Sequence, residues 1–269
     1  MATSPLKIGI VGCAGRMGRM LISEVLATSG TALAGGSEQP GPHIGTDLGV
    51  LVGAKPLGLN VLDNPEGMFS AADVVIDFTR PEATLGHAKL AAATKTALIV
   101  GTTGMGDDVH RALSEAAQKV AVVSAPNFSL GVNVLLGLAE KAAAILGPEY
   151  DIDILEMHHR HKVDAPSGTA LGLGQAVARG RQVELDQVAR KSREGITGAR
   201  PTGEIGFATL RGGDVVGDHT VIFAADGERI EIGHKASSRV IFARGAVRAA
   251  LWTRDRRPGL YAMRDVLDL

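Results

Sequence analysis

The sequence predicts an α/β protein in two parts: an open parallel sheet flanked by helices, then an α+β region with a mostly antiparallel sheet. Three observations carry that prediction. Short β-branched runs alternate with helix-period segments through the first 129 residues. Glycines fall at strand exits, with no G-X-Y period and no low-complexity block. Beyond residue 150, strand-like runs follow one another with Gly/Asp turns between them.

The first element is "LKIGIVG" (6–12), a β-branched run ending in glycine. "RMGRMLISEVLATSG" (16–30) follows, with Met17, Met20, Leu21, Val25 and Leu26 at helical spacing, and "TALAGGSE" (31–38) is the next strand. The turn between the first strand and the helix, "GCAGRMG", is a G-x-x-G-x-x-G variant of the Rossmann fingerprint. Gly12 allows the exit from the strand, Gly15 lets backbone N–H groups approach a pyrophosphate, and Gly18 lets the helix pack close. Glu38 stands at the end of the second strand, where a carboxylate accepts ribose hydroxyls. Arg16 opposes the helix dipole, which a nearby anion would explain. Cys13, the sole cysteine, reads as a small space-filling residue of this loop.

Two later runs, "ADVVIDFTRPEA" (72–83) and "TALIVGTTG" (96–104), are apolar strands broken by turn formers. "KVAVVSAPNFSLGVN" (119–133) is another. In an open parallel sheet, ligands sit outside the carboxyl ends of the strands. That puts Phe78, Thr79, Gly101, Thr102, Thr103 and Ala125 to Phe128 on one cofactor-facing edge. The lone histidines His43, His87 and His110 read as surface or packing residues.

"LGVNVLLGLAEKAAAILG" (130–147) is an apolar helix with Gly147 as its stop. "YDIDILEMHH" (150–159) alternates as a strand, and "SGTALGLGQAVARG" (167–180) starts a helix near Ser167. "GEIGFATLRGG", "DVVGDHTVIFAADG" and "ERIEIGHKASS" give three more strands, two of which carry His219 and His234, read as subunit contacts or ordinary exposed residues. The tail after residue 238 is helical at first and could return to the earlier sheet.

Bulk properties narrow the function classes. The net charge is -1, so no basic field points to nucleic acid or to a membrane surface. Aromatic residues are 3%, too few for base-stacking platforms. No apolar stretch approaches the ~20 residues of a membrane span. The opening residues carry no apolar signal core, and a single cysteine suits a reducing compartment, so a cytoplasmic location is expected.

"EMHHRHKVDAPSGTA" (156–170) sets His158, His159 and His161 beside Lys162. A zinc site would want three protein ligands and an open position. On a strand, however, His158 and His159 face opposite sides, and neither H-E-x-x-H nor a cysteine cluster is present. No metal is expected. A cationic acid/base site uses the same residues differently. Lys162 is a point cation, His158 can exchange a proton near neutral pH, and the N–H groups of Gly168 and Thr169 can hold a carboxylate at a helix start. That arrangement calls for a small, multiply anionic substrate. A histidine-rich surface turn is the bland alternative on spacing alone.

"EMHHRHKVDAPSGTA", together with "GCAGRMGRML", "VIDFTRPEATLGH", "VGTTG" and "APNFSLGVNV", closely resembles the 4-hydroxy-tetrahydrodipicolinate reductase (dihydrodipicolinate reductase) family of lysine and diaminopimelate biosynthesis. "SREGITGAR", "GEIGFATLRGGDVVGDHTV" and "HKASSRVIFARGAVRAALW" extend the likeness over nearly the whole chain. The resemblance implies a Rossmann-type dinucleotide-binding domain (1–129), an α+β substrate-binding and oligomerisation domain (130–238), and a C-terminal segment (239–269) returning to the first. It also implies a homotetramer and NAD(P)H-dependent reduction of a cyclic imine dicarboxylate, 4-hydroxy-tetrahydrodipicolinate, to tetrahydrodipicolinate. In that reaction His158 is the proton donor/acceptor and Lys162 the proton donor, with His159, Gly168 and Thr169 binding substrate. Gly12, Cys13, Ala14, Gly15, Arg16, Met17, Glu38, Gly101, Thr102, Thr103, Ala125, Pro126, Asn127 and Phe128 would line the cofactor site. Many relatives carry an arginine after the acidic residue; here Gln39 follows Glu38, so NADH is expected to be favoured, with NADPH tolerated. Among rivals, an aspartate-semialdehyde dehydrogenase needs a thiol nucleophile, a homoserine dehydrogenase leaves the H-H-R-H-K cluster unexplained, and a nucleotide-sensing module needs no proton donor.

Overall fold

The computed structural model describes residues 4–269. The first three residues, counted above with the region 1–129, lie outside the described residues. In chain order the strands are β1 Leu6–Val11, β2 Thr31–Ser37, β3 Val61–Leu62, β4 Val74–Asp77, β5 Ala97–Val100, β6 Ala121–Ser124, β7 Asp151–His158, β8 Ala189–Arg190, β9 Ile205–Arg211, β10 Gly217–Ala225, β11 Glu228–Ala236 and β12 Gly259–Tyr261. The helices are α1 Arg16–Ala27, α2 Leu48–Leu51, α3 Glu66–Ala71, α4 Pro81–Thr94, α5 Asp107–Ala117, α6 Leu130–Ile145, α7 Gly168–Gly180, α8 Leu185–Val188, α9 Val240–Trp252 and α10 Met263–Leu267. The chain divides into two compact units: the residues up to Ser129 with Val240–Asp268, and Leu130–Arg239 with Leu269. No helix among the described residues is long and apolar enough to cross a membrane.

The first unit is a seven-stranded parallel sheet ordered β12-β6-β5-β4-β1-β2-β3. Its middle strands are buried on both faces, which is why β4 and β5 read as unbroken apolar runs rather than alternating ones. On one face Val75, Leu98, Val100 and Val122 pack against Ala88 and Ala91 of α4 and Val109, Leu113 and Ala116 of α5. Helices α1 and α9 pack on each other. Gly245 of α9 comes so close that a Cβ there would lie 1.7 Å from the Phe128 carbonyl oxygen. The strand order reverses between β1 and β4, so a crevice is expected where their carboxyl ends part.

The second unit is a five-stranded mixed sheet ordered β11-β10-β7-β9-β8. β10 pairs antiparallel with β11 and with β7, while β9 joins β7 and β8 in parallel. The parallel neighbour follows from a crossover through α7. The β10–β11 connection is the two-residue turn Asp226-Gly227, with Gly227 at φ 86°. On β7, Ile152, Ile154, Glu156 and His158 are buried and the alternate residues are not. Leu135, Ala139 and Ala143 of α6 and Leu173 and Val177 of α7 cover that apolar face.

Candidate active site

In the first unit, the chain leaves β1 at Gly12 with φ +66°, and a Cβ there would sit 2.8 Å from Thr79 Cγ2 across the crevice. Gly18 lies against the turn itself: its Cβ would fall 2.2 Å from the Gly12 carbonyl oxygen. Helix α1 therefore starts right over the loop, and no side chain caps its N-terminus. The first N–H groups of a helix have no intrahelical acceptor, so this end attracts an anion. A cleft of about 570 Å³ opens here, lined by Gly12, Gly15, Arg16, Glu38, Gln39, Phe78, Thr79, Arg80 and His87 among others.

Several loop groups are committed to the protein. Cys13 N–H donates to the Ser37 carbonyl, and its thiol is buried against Gly36. Burial, with Glu38 nearby, pushes that thiol up to about 12, so it serves as packing and not as a nucleophile. Ala14 N–H donates to Glu38 Oε2 at 3.1 Å, and Gln39 N–H donates to Glu38 Oε1 at 2.9 Å. Glu38 thus braces the turn whose ligand it is expected to meet. Arg16 is exposed in the cleft wall.

The far wall rests on a buried carboxylate that sequence reading passed over. Asp77, at the end of β4, is fully buried; its Oδ2 is 2.8 Å from His87 Nδ1 on α4, and its Oδ1 accepts from Thr79 N–H and Oγ1. Burial disfavours the charge, yet the His87 and Thr79 contacts outweigh it and hold the carboxyl below its ordinary range. His87 is therefore no idle surface residue: it lines the cleft and fixes the Phe78–Thr79 turn. Thr102 points inward, its hydroxyl 2.9 Å from Thr84 Oγ1. A Cβ on Gly101 would lie 2.2 Å from the Phe78 ring, which in turn packs on Phe128 at 5.4 Å between centroids.

In the second unit the histidine cluster resolves by strand parity. Glu156 and His158 share the buried face of β7, and His158 Nδ1 is 2.6 Å from Glu156 Oε2. Arg211 of β9 grips the same carboxylate from Nη1 and Nη2 at 2.8 and 2.9 Å. Ser167 N–H donates to Glu156 Oε1 at 3.0 Å, and Ser167 Oγ caps α7 by accepting from Ala170 N–H. Burial opposes the Glu156 charge, but Arg211, His158 and Ser167 more than offset it and keep the carboxyl below its ordinary range. His219 is 4% exposed on β10, its ring 5.1 Å from that of His158. It is neither an exposed residue nor a free surface contact. His234 packs on the start of α6, where a Gly131 Cβ would lie 2.6 Å from its Cδ2.

Beyond β7 the chain turns. His159 N–H donates to the Val215 carbonyl and Lys162 N–H to that of His159, while Lys162 Nζ pairs with Asp164 Oδ1 at 2.9 Å. His159 Nδ1 is buried with no hydrogen-bond partner, and desolvation plus Arg239, His158, His161 and Lys162 lower its basicity. The Ala165–Pro166 bond is cis. A Cβ on Gly168 would meet open space. His158, His159, Lys162, Gly168 and Thr169 thus gather at one end of the sheet, where β7 gives way to α7. No group of three His, Cys, Asp or Glu among the described residues is arranged to hold a metal ion. Sequence reading missed Glu156, Arg211 and Asp77, and took Ser167 only as the start of a helix. For Glu156 the signal was present, since an acid two residues before His158 on an alternating strand must share its buried face.

A glycine turn of dinucleotide-binding pattern at a sheet's switch point, in a chain that also sets a histidine on a buried carboxylate, fits the class of oxidoreductases. Comparison with known proteins narrows the class. The profile described as "Dihydrodipicolinate reductase, N-terminus" matches residues 6–128, and "Dihydrodipicolinate reductase, C-terminus" matches residues 131–267. The chain belongs to the dihydrodipicolinate reductase family. It is 54% identical over 263 residues to the 4-hydroxy-tetrahydrodipicolinate reductase of Magnetococcus marinus, covering 97% of this chain and 98% of that one. It is 52% identical to the same-named protein of Thiobacillus denitrificans, over 98% and 99% of the two chains. Among solved structures, a dipicolinate-bound dihydrodipicolinate reductase from Paenisporosarcina sp. TG-14 superposes with a TM-score of 0.77 at 25% identity, covering 96% and 97% of the two chains. The cofactor of this reductase family on a Rossmann-type sheet is a nicotinamide nucleotide.

Proposed function

We propose that this chain reduces 4-hydroxy-tetrahydrodipicolinate to tetrahydrodipicolinate in lysine and diaminopimelate biosynthesis, with the first unit holding the cofactor and the second the substrate. The observation that carries the substrate assignment is the buried Glu156–His158 pair, tied through Ser167 to the N-terminus of α7. The cofactor fits the first unit on two counts: the crevice at Gly12 has no room for a Cβ, and α1 begins uncapped above it. Gly12 to Met17, Glu38, Gly101 to Thr103 and Ala125 to Phe128 would hold it, with Cys13 and Thr102 serving through backbone position rather than side chain. When bound, the reduced nicotinamide supplies a hydride.

The residues of this chain do the rest. His159, Gly168 and Thr169 bind the two carboxylates, which restrains the ring and converts part of the barrier into binding. His158 exchanges a proton as water leaves the hydroxylated ring. Lys162, held by Asp164, delivers the proton that the ring needs after hydride arrival. General acid catalysis is worth about 10²- to 10⁴-fold, so Lys162→Ala should lower kcat by that much with the KM for NADH nearly unchanged. An unaltered kcat would remove Lys162 from the chemistry.

NADH is the favoured cofactor in this proposal. Glu38 would repel a 2′-phosphate, Gln39 brings no charge, and Arg16 and Arg80 are the cations that the described residues bring to the cleft wall. A coupled assay tests the whole reading: pyruvate, aspartate semialdehyde and the preceding synthase supply substrate, and NADH or NADPH oxidation is followed at 340 nm. No oxidation with either cofactor overturns the function, and a much higher kcat/KM with NADPH overturns the preference. The family resemblance also supports a homotetramer, which light scattering at four chain masses would verify, and a cytoplasmic location, which cell fractionation would verify.

A further inference from the structure

The geometry points to Glu156 as a positioning residue that fixes the tautomer of His158 and its distance from the N-terminus of α7. This rests on the proton-exchanging role given to His158 above. Glu156 is 1% exposed and accepts from four donors within 3.0 Å: His158 Nδ1, two Arg211 nitrogens and Ser167 N–H. An ionised carboxylate can only accept. The hydrogen on the short 2.6 Å contact therefore belongs to His158 Nδ1. The neutral ring then carries a lone pair on Nε2, and Nε2 is the atom left to take up and release a proton.

A glycine leaves room beside that nitrogen. Gly217, at the start of β10, faces the ring edge, and a Cβ there would stand 3.0 Å from Nε2. Arg211 also donates to the Asp164 carbonyl, so the guanidinium joins the carboxylate to the turn that carries Lys162. Through Ser167, whose N–H and Oγ are both engaged, the same carboxylate holds the residue that begins α7. One buried charge thus sets a proton-exchanging atom, a lysine-bearing turn and a carboxylate-binding helix end in fixed relation. The bidentate Arg211 grip supplies the countercharge without which an isolated buried carboxylate would be costly.

Glu156→Gln tests this. The amide oxygen can still accept from Ser167, but the amide NH₂ facing His158 Nδ1 can only donate, which drives the ring to the Nε2–H tautomer. The variant should lose about 10²- to 10⁴-fold in kcat, the range for general acid–base catalysis and for a proton-exchanging histidine forced into the wrong tautomer, with the NADH KM within about twofold. Glu156→Asp, which keeps the charge, should recover part of the loss. A ¹⁵N spectrum of histidine-labelled protein, assigned with His158→Asn, reads the tautomer directly: Nδ1–H in the wild type, Nε2–H in Glu156→Gln. Wild-type protein with the hydrogen on Nε2, or a Glu156→Gln variant with unchanged kcat, overturns the proposal. The spectrum needs no substrate, so it stands even if Glu156→Gln does not fold. Wild-type protein inactive towards the cyclic substrate would instead remove the reductase reading.

Discussion

Among single residues, His219 couples the second unit to pH. Burial, followed by the neighbouring charge of His158, drives it down to about 4, despite the Glu156 carboxylate pulling the other way; His234 and Lys162 add to the lowering. Its Nε2 meets Ser167 Oγ at 3.1 Å, and its Nδ1 is buried without a partner. An unfolded histidine titrates near pH 6.5. Between pH 6.5 and about 4 the unfolded chain takes up a proton that the folded chain refuses, so this contribution to stability is full above 6.5 and is lost as pH falls. The whole effect is of order 3 kcal/mol. Urea unfolding at pH 7 and 4.5 should show the drop, and His219→Gln should flatten it; an equal slope in the variant assigns the drop elsewhere. The residues of the site were unevenly legible. Strand parity separates His158 from His159 and puts Glu156 beside the former. Arg211 is not readable, since it reaches Glu156 across 55 positions, and neither is the Asp77–His87 pair, which exists only once α4 folds back on β4.

Among elements, those with a clear period were readable and those held by one side chain were not. β1, α1 and β2 follow from apolar spacing and a glycine turn. α2 has four residues and no period; Asp47 makes it by accepting from Gly49 and Val50 N–H, and also gathers Leu57 and Gly58 N–H. The two-residue strands β3 and β8 leave no pattern at all. α1 depends on a single absence. A Cβ at Gly18 would lie 2.2 Å from backbone oxygen that cannot swing aside, so Gly18→Ala must lift the helix from its loop. Overpacking of this kind costs about 1–3 kcal/mol, and if that falls on the bound state NADH affinity drops by about 5- to 150-fold. NADH fluorescence titration measures it, and wild-type affinity would show that the loop tolerates the displacement.

For the molecule as a whole, the telling fact is that the first unit is discontinuous. Residues from Val240 supply α9, which packs on α1, and β12, which pairs with β6 at the edge of the sheet. The helical start of this tail and the early parallel sheet were both legible; the pairing of β12 was not, because three residues carry no period. A chain ending at Arg239 should lose NADH binding and the cooperative unfolding of the first unit, read by fluorescence titration and calorimetry. Wild-type affinity in that truncated chain would make the tail dispensable to the first unit.

That discontinuity also orders the protein's birth. A nascent chain leaving the ribosome exposes all of residues 130–239 while the first unit still lacks α9, α10 and β12. Each newly made molecule can therefore fold its second unit before the first unit has the segments that complete it.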